Sequence, residues 1–322
     1  MSETILQVRH LKTSFNVKRS GRKYRVRAVD DVSLTLAAGE VLGIVGESGC
    51  GKTTVGRSIV RLVEADSGAI DFKGTDVLGA GGAALRELRL NLRMVFQDPY
   101  ASLNPRRSIG DSVAEAGDIN KVFKSRAHRT ARIAETLTAV GLSPSFAERY
   151  PHELSGGQRQ RAGIARAILP APAVIIADEP VSALDVSVQA QVLNLMMDLR
   201  EQLGLSMLFI SHDIGVIGQI SDRVAVMYMG RVVELADART LLDHPMHPYT
   251  QALMAAVPRP DPSRRIAGAI EIGEPPSQFT RPAGCAYAAR CRLASSRCLV
   301  EVPDLRTIEN GRLAACHNLL PA

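Results

Sequence analysis

The densest chemistry in the chain lies in eight consecutive residues, Gly46-Glu47-Ser48-Gly49-Cys50-Gly51-Lys52-Thr53. They match the pattern G-x-x-x-x-G-K-S/T, with an apolar run before it and a helix-forming stretch behind it. Gly46, Gly49 and Gly51 let successive backbone N–H groups converge on phosphate oxygens, and a following helix N-terminus adds positive potential. Ser48, Cys50 and Thr54 complete the expected phosphate-contacting set. Lys52 is positioned to reach the β- and γ-phosphates of a nucleoside triphosphate, and Thr53 to place its hydroxyl on Mg²⁺. Cys50 invites a redox-switch reading, but a small side chain filling a crowded loop is the plainer account.

A second cluster is Val174-Ile175-Ile176-Ala177-Asp178-Glu179, an apolar run ending in two acids. On a buried strand these acids emerge at the carboxyl end, where α/β sheets place ligands. Such an ending is common by itself and gains meaning beside a phosphate cradle. Asp178 is then expected to hold the Mg²⁺ shell, and Glu179 to orient and polarise an attacking water.

Groups so far apart in the chain need a rigid frame. Ile5–Val8, Ser33–Leu36 and Val41–Val45 read as strands, and Thr53–Val63 as the helix after the Gly-rich loop. Further strands are expected at Val174–Ala177 and Ser206–Ile210. Strands interleaved with helices argue for an α/β core. Ser102–Glu153 shows helical periodicity through Ala131, Ile133, Ala134, Leu137 and Val140, and predicts a helical insertion. Pro258, Pro260, Pro262, Pro275, Pro276 and Pro282 then mark a change of texture. The expected division is residues 1–257, with a helical subdomain at about 100–158, and a small extension at 258–322.

The extension carries Cys285, Cys291, Cys298 and Cys316, while Cys50 stands alone. Without an export signal at the N-terminus, a thiol cluster points to metal rather than disulfides. Four thiolates suit tetrahedral zinc or an iron–sulfur cluster. The gaps of five and six residues exceed the roughly two-to-four-residue gaps of zinc fingers, which favours a 4Fe–4S cluster. Its expected job is to clamp an extension too small to hold its own core.

The 322 residues include no Trp and only 4% aromatics, so the core must be aliphatic, which suits buried parallel strands. No apolar run approaches the roughly 18 residues of a spanning helix. The net charge of +6 suits phosphate ligands, nucleic acid or an anionic membrane surface, and equally a plain solubility surplus.

Leu154-Ser155-Gly156-Gly157-Gln158 decides among phosphate-loop proteins, because it closely resembles the signature sequence of ABC ATPases. Gln97 resembles the family's Q-loop glutamine, Ser182-Ala183-Leu184-Asp185 its D-loop, and Ser211-His212-Asp213 its switch region. The resemblance spans roughly residues 3 to 240 and implies a P-loop (RecA-like) α/β core with a helical subdomain. It implies ATP and Mg²⁺ as ligands, with Glu179, His212 and Gln97 catalytic and Thr53, Gln97 and Asp178 around the metal. ATP would be held between two subunits, with Ser155, Gly156, Gly157, Gln158 and Asp185 acting on the partner's nucleotide. The family places an aromatic against adenine near the end of the first strand; Phe15 fits by position. Tyr24, in a basic insertion at Lys18–Arg27, is its rival. Every motif residue is intact, which implies a hydrolysing site.

Phe96-Gln97-Asp98-Pro99-Tyr100-Ala101-Ser102-Leu103-Asn104-Pro105 and His247-Pro248-Tyr249-Thr250-Gln251-Ala252-Leu253 resemble the bacterial dipeptide/oligopeptide/nickel importers, and their F-type ATPase in particular. This resemblance adds weight to the 4Fe–4S cluster, with zinc, and unliganded thiols or disulfides, as the alternatives. It implies two transmembrane permeases, a paralogous partner ATPase and an extracytoplasmic solute-binding protein, with the chain at the cytoplasmic face of the inner membrane. The cargo stays open among dipeptides, longer peptides, glutathione and nickel. A soluble ABC ATPase acting on ribosomes or DNA is the rival. The single Gly-rich loop and the lack of a heptad insertion speak against it, so no nucleic-acid partner is expected.

Overall fold

The computed structural model describes residues 3–19, 21–256, 279, 281–309 and 311–320. The chain opens with a long antiparallel hairpin, β1 (Thr4–Arg19) and β2 (Arg22–Ala37), and continues through β3 (Val41–Val45) and helix α1 (Lys52–Ile59). β4 (Ser67–Phe72) and β5 (Thr75–Asp76) complete a four-stranded sheet in the order β2-β1-β4-β5. The sequence predicts only the base of the hairpin and treats Lys18–Arg27 as an insertion. Instead Lys18 pairs with Lys23 and Val17 with Tyr24, so the basic segment is the hairpin's tip. Ladder hydrogen bonds carry the strands beyond the point where apolar alternation stops, and the charges face solvent. Helix α1 ends short of the predicted Val63, because Arg61 turns the chain with a left-handed φ of 53°.

After α2 (Gly82–Asn91) and β6 (Leu92–Val95) comes a helical block: α3 (Pro99–Ser102), α4 (Ile109–Ile119), α5 (Arg126–Ala139) and α6 (Gly156–Ile168). No strand interrupts Ser102–Glu153, as the periodicity predicts. Ser108, Ser125 and Ser155 cap α4, α5 and α6, each accepting a backbone N–H from the first turn. The helices share an aliphatic interior of Ile109, Val113, Ile133, Leu137, Ile164 and Ile168. Each such side chain contributes about 1.5–3 kcal/mol on burial.

The remaining elements are β7 (Val174–Asp178), α7 (Val186–Leu203), β8 (Ser206–Ser211), α8 (Ile214–Ile220), β9 (Arg223–Tyr228), β10 (Arg231–Asp237), α9 (Ala238–Asp243), α10 (Pro248–Ala255), α11 (Ser296–Val300), β11 (Arg306–Thr307) and β12 (Leu313–Ala314). They build a second sheet in the order β11-β12-β10-β9-β3-β8-β7-β6. Strands β9, β3, β8, β7 and β6 are parallel. Alternate residues serve opposite faces: Ile175, Ala177, Met207 and Phe209 join the helical side, while Ile176, Leu208 and Ile210 join the side of α1 and the hairpin. Burial on both faces explains why these strands read as unbroken apolar runs.

Pro258, Pro260, Pro262, Pro275 and Pro276 lie outside the described residues, whereas Pro282 is exposed coil. Beyond them the C-terminal segment extends the main sheet: Glu234 pairs with Ala314 and Leu235 with Leu313.

Candidate nucleotide-binding and hydrolysis site

The carboxyl ends of β3, β8, β7 and β6 follow one another along the sheet, and each delivers one part of the site. The Gly46–Thr53 loop follows β3, His212 follows β8, Asp178 and Glu179 end β7, and Gln97 follows β6. Strand order therefore does the gathering.

In the loop, Gly51 caps α1 with a left-handed φ of 107°. A Cβ there would stand 2.1 Å from the Ala28 carbonyl oxygen, so only glycine fits. Lys52 is 4% exposed. Its ammonium donates to the Gly46 carbonyl at 2.7 Å and the Glu47 carbonyl at 3.0 Å, which holds the cation inside the cradle. Cys50 is buried beneath the loop, and burial pushes its thiol above the usual range, so it lacks the thiolate character a redox switch needs.

Thr53 Oγ1 donates to Asp178 Oδ1 at 2.7 Å. Asp178 is 1% exposed, and its Oδ2 has no hydrogen-bond partner among the described residues. Burial raises its pKa, with the Thr53 hydrogen bond acting the other way. An orphaned carboxylate oxygen beside a threonine hydroxyl fits a divalent cation shared by these two side chains.

Glu179 carries a left-handed φ of 45°, costly for a residue with a Cβ and common where function fixes the backbone. Its Oε2 accepts from Gln97 Nε2 at 2.9 Å and lies 3.3 Å from His212 Nδ1. The three residues singled out for catalysis thus meet at one carboxylate.

A cavity of about 530 Å³ runs between these groups and the hairpin. Ser48, Gly49, Gly51, Lys52, Thr53, Thr54, Gln97 and Glu179 line it, with Phe15 from β1 on the far wall. Tyr24 is not in that wall. It packs edge-on against Phe279, 5.1 Å between ring centres, and Phe279 does line the cavity. Sequence reasoning missed Phe279, which lies far along the chain and carries no local motif.

Ser155, Gly156, Gly157, Gln158 and Asp185 line a different cavity of about 300 Å³ that shares no lining residue with the first. Ser155 and Gln158 form a reciprocal cap: the Ser155 hydroxyl accepts the Gln158 N–H, and the Gln158 side chain accepts the Ser155 N–H. A Cβ on Gly157 would meet Val188 Cγ1 at 2.7 Å, so a larger residue would push against α7. One chain therefore presents two separate cavities.

Residues 29–182 match the ABC transporter family, and 233–298 match the C-terminal region of oligopeptide/dipeptide transporters. The chain is 49% identical over 322 residues to the oligopeptide transport ATP-binding protein AppF of Bacillus subtilis, covering 98% of this chain and 97% of that protein. The chain belongs to the ABC transporter ATP-binding subunits, in their oligopeptide/dipeptide branch.

This ABC subunit is an ATPase, and ATP with Mg²⁺ is what such a subunit requires. Its fold resembles the dimeric post-hydrolysis ABC cassette MJ0796 bound to ADP and phosphate, with a TM-score of 0.65 and 26% identity, covering 73% of this chain and 99% of that one. The Clostridium perfringens subunit cbiO1, part of the cbiONQ transporter complex, matches with a TM-score of 0.64 and 26% identity over 76% of this chain and 92% of that one. No helix among the described residues of the subunit is long and apolar enough to cross a membrane.

The cysteine expectation fares differently. Cys285, Cys291, Cys298 and Cys316 all carry free thiols, and burial, helped by the other three, pushes the Cys316 thiol up to about 11. The Cys285 N–H donates to the Cys298 carbonyl at 2.8 Å, and Asn318 contacts the sulfurs of both Cys316 and Cys298. Yet no group of three or more His, Cys, Asp or Glu among the described residues is disposed to hold a metal ion. Cys298 Sγ contacts Ser295 Oγ at 3.4 Å, and Cys316 Sγ accepts the Asn318 N–H at 3.3 Å. The 4Fe–4S expectation and its zinc alternative both need four donors gathered around one centre, and the described residues support neither.

Proposed function

We propose that this subunit is the ATP-hydrolysing motor of an importer for di- or oligopeptides. In this reading it works at the cytoplasmic face of the cell membrane with two transmembrane permeases, a paralogous ATPase and an extracytoplasmic solute-binding protein. The observation that carries it is the pair of disjoint cavities on a chain whose C-terminal region matches oligopeptide/dipeptide transporters. One copy offers the lysine-bearing loop, and its mate offers Ser155, Gly156, Gly157, Gln158 and Asp185 across the nucleotide. ATP thereby joins the two subunits, and hydrolysis lets them part.

Each side chain has a task in that cycle. Lys52 exchanges its carbonyl partners for the β- and γ-phosphates. Thr53, Asp178 and Gln97 would hold Mg²⁺, which would supply charge stabilisation at the phosphate oxygens. Glu179 aligns and polarises the attacking water, while His212 orients Glu179 and meets the γ-phosphate. Phe15 and Phe279 form the aromatic wall for the adenine, with Tyr24 bracing Phe279.

On the four cysteines and their spacing, we further propose a structural 4Fe–4S group at Cys285, Cys291, Cys298 and Cys316, although the described residues form no ready-made metal site. Iron and sulfide in equal, stoichiometric amounts in anaerobically purified protein support it, and their absence removes it.

Reconstitution with the permeases in proteoliposomes tests the main reading. ATP-dependent uptake of labelled di- or tripeptide, lost in the Lys52→Ala variant, is the expected result. Uptake of Ni²⁺ without peptide would assign the subunit to a nickel importer, and stimulation by RNA or DNA in place of permeases would favour a soluble ATPase.

A further inference from the structure

Glu47 places a carboxylate inside the loop that must receive a polyanion. Left unpaired it would repel the nucleotide. Its partner comes from the other end of the chain: Arg290 Nη1 donates to Oε2 at 3.0 Å and Nη2 to Oε1 at 2.8 Å, a two-bond fork spanning 243 positions. The Arg290 side chain is 5% exposed. Its guanidinium stands 5.7 Å from the ring centres of Tyr228 and Tyr287 and donates to the Tyr228 hydroxyl at 3.1 Å. Tyr228, Tyr249 and Tyr287 pack together with centres 4.6 to 5.3 Å apart, so the arginine has little freedom.

The backbone of Glu47 is held from the same side. Its N–H donates to the Tyr249 hydroxyl at 2.9 Å, and its carbonyl accepts from Lys52 Nζ at 3.0 Å. Arg290, Glu47 and Lys52 thus form a continuous chain of contacts from the cysteine-bearing segment to the phosphate-binding cation. Arg290 ends the short turn Ala288–Arg290, which lies between Cys285 and Cys291 and is closed by the Ala288 N–H on the Cys285 carbonyl at 3.0 Å.

We propose that Arg290 is a positioning residue for ATP binding: its fork on Glu47 holds the Gly46–Thr53 loop in phosphate-binding shape and cancels the one carboxylate inside it. The C-terminal segment is then a working part of the nucleotide site. This inference stands on the loop geometry and on the ATPase family, independent of the cargo and of any metal at the cysteines.

The test is ATP binding by calorimetry, with KM and kcat, on full-length Arg290→Gln, Arg290→Lys, and Arg290→Gln combined with Glu47→Gln. Arg290→Gln should weaken ATP binding about tenfold to a hundredfold, as loss of site positioning does, and raise KM far more than it lowers kcat. Adding Glu47→Gln should recover most of the loss, because the unpaired charge is gone. A purely structural role predicts no such recovery. An ATP affinity within about twofold of wild type in Arg290→Gln, or a double variant as weak as the single, overturns the proposal. Should Arg290→Gln fail to fold, Arg290→Lys decides: it keeps the charge and loses the fork, so a raised KM supports the proposal and an unchanged KM overturns it.

Discussion

Thr53 and Asp178 touch through a 2.7 Å hydrogen bond, although 125 positions separate them. The contact locks the first turn of α1 to the end of β7 and leaves Asp178 Oδ2 unpaired. Replacing Asp178 by Asn preserves the shape and removes the charge. We predict a fall in Mg²⁺-dependent ATP turnover of roughly a hundredfold or more, with Mg²⁺-free nucleotide binding retained. Phosphate release across a Mg²⁺ titration checks it, and a normal Mg²⁺ response would displace Asp178 from the metal.

Glu179 is the carboxylate at which Gln97 and His212 meet. Glu179→Gln keeps the hydrogen-bonding outline and loses the basic oxygen. Turnover should drop by about 10²–10⁴, the range for a lost general base, while ATP-bound dimers accumulate. Steady-state hydrolysis and light-scattering mass report the two effects together. Retained turnover in the reconstituted complex would exclude Glu179 as the base.

Gly157→Val forces a branched side chain against Val188 on α7, and Ser155→Ala removes a cap worth about 1 kcal/mol. Both should spare ATP binding by the isolated subunit, since neither residue lines that cavity. Both should abolish ATP-dependent dimerisation, as followed by sedimentation. Nucleotide-driven association that survives both changes is incompatible with a split site.

His247 is buried, and its Nδ1 accepts the Tyr249 N–H at 3.0 Å as α10 begins. Burial disfavours the imidazolium and lowers its pKa from 6.5 to about 4. The unfolded chain takes up this proton near pH 6.5 and the folded one refuses it, so the contribution is whole above that pH. It is lost progressively as pH falls towards 4, on the order of 3 kcal/mol in all. Chemical denaturation at pH 7.5, 6 and 5 should show this slope in wild type and a shallower one in His247→Asn. Equal slopes would place the acid sensitivity elsewhere.

Most of the nucleotide site is legible in the order of residues. Gly46–Thr53, Leu154–Gln158 and Val174–Glu179 each hold their candidate groups within a few residues, where backbone geometry and spacing are local properties. The helical block was legible for the same reason, because a 3.6-residue period needs no distant partner. The hairpin was only half legible: backbone pairing, which is indifferent to side-chain charge, extends it through Lys18–Arg27.

What the residue order determined by itself was the inventory of chemical groups and the elements that carry them. Only the tertiary structure decided which distant groups meet. It set Phe279 in the cavity wall with Tyr24 behind it, laid β12 against β10, and put Arg290 on Glu47. None of these has a local signature. Each follows from how a twisted sheet and its packed layers fold back on one another, and contacts across such distances obey packing and charge rather than any period in the chain.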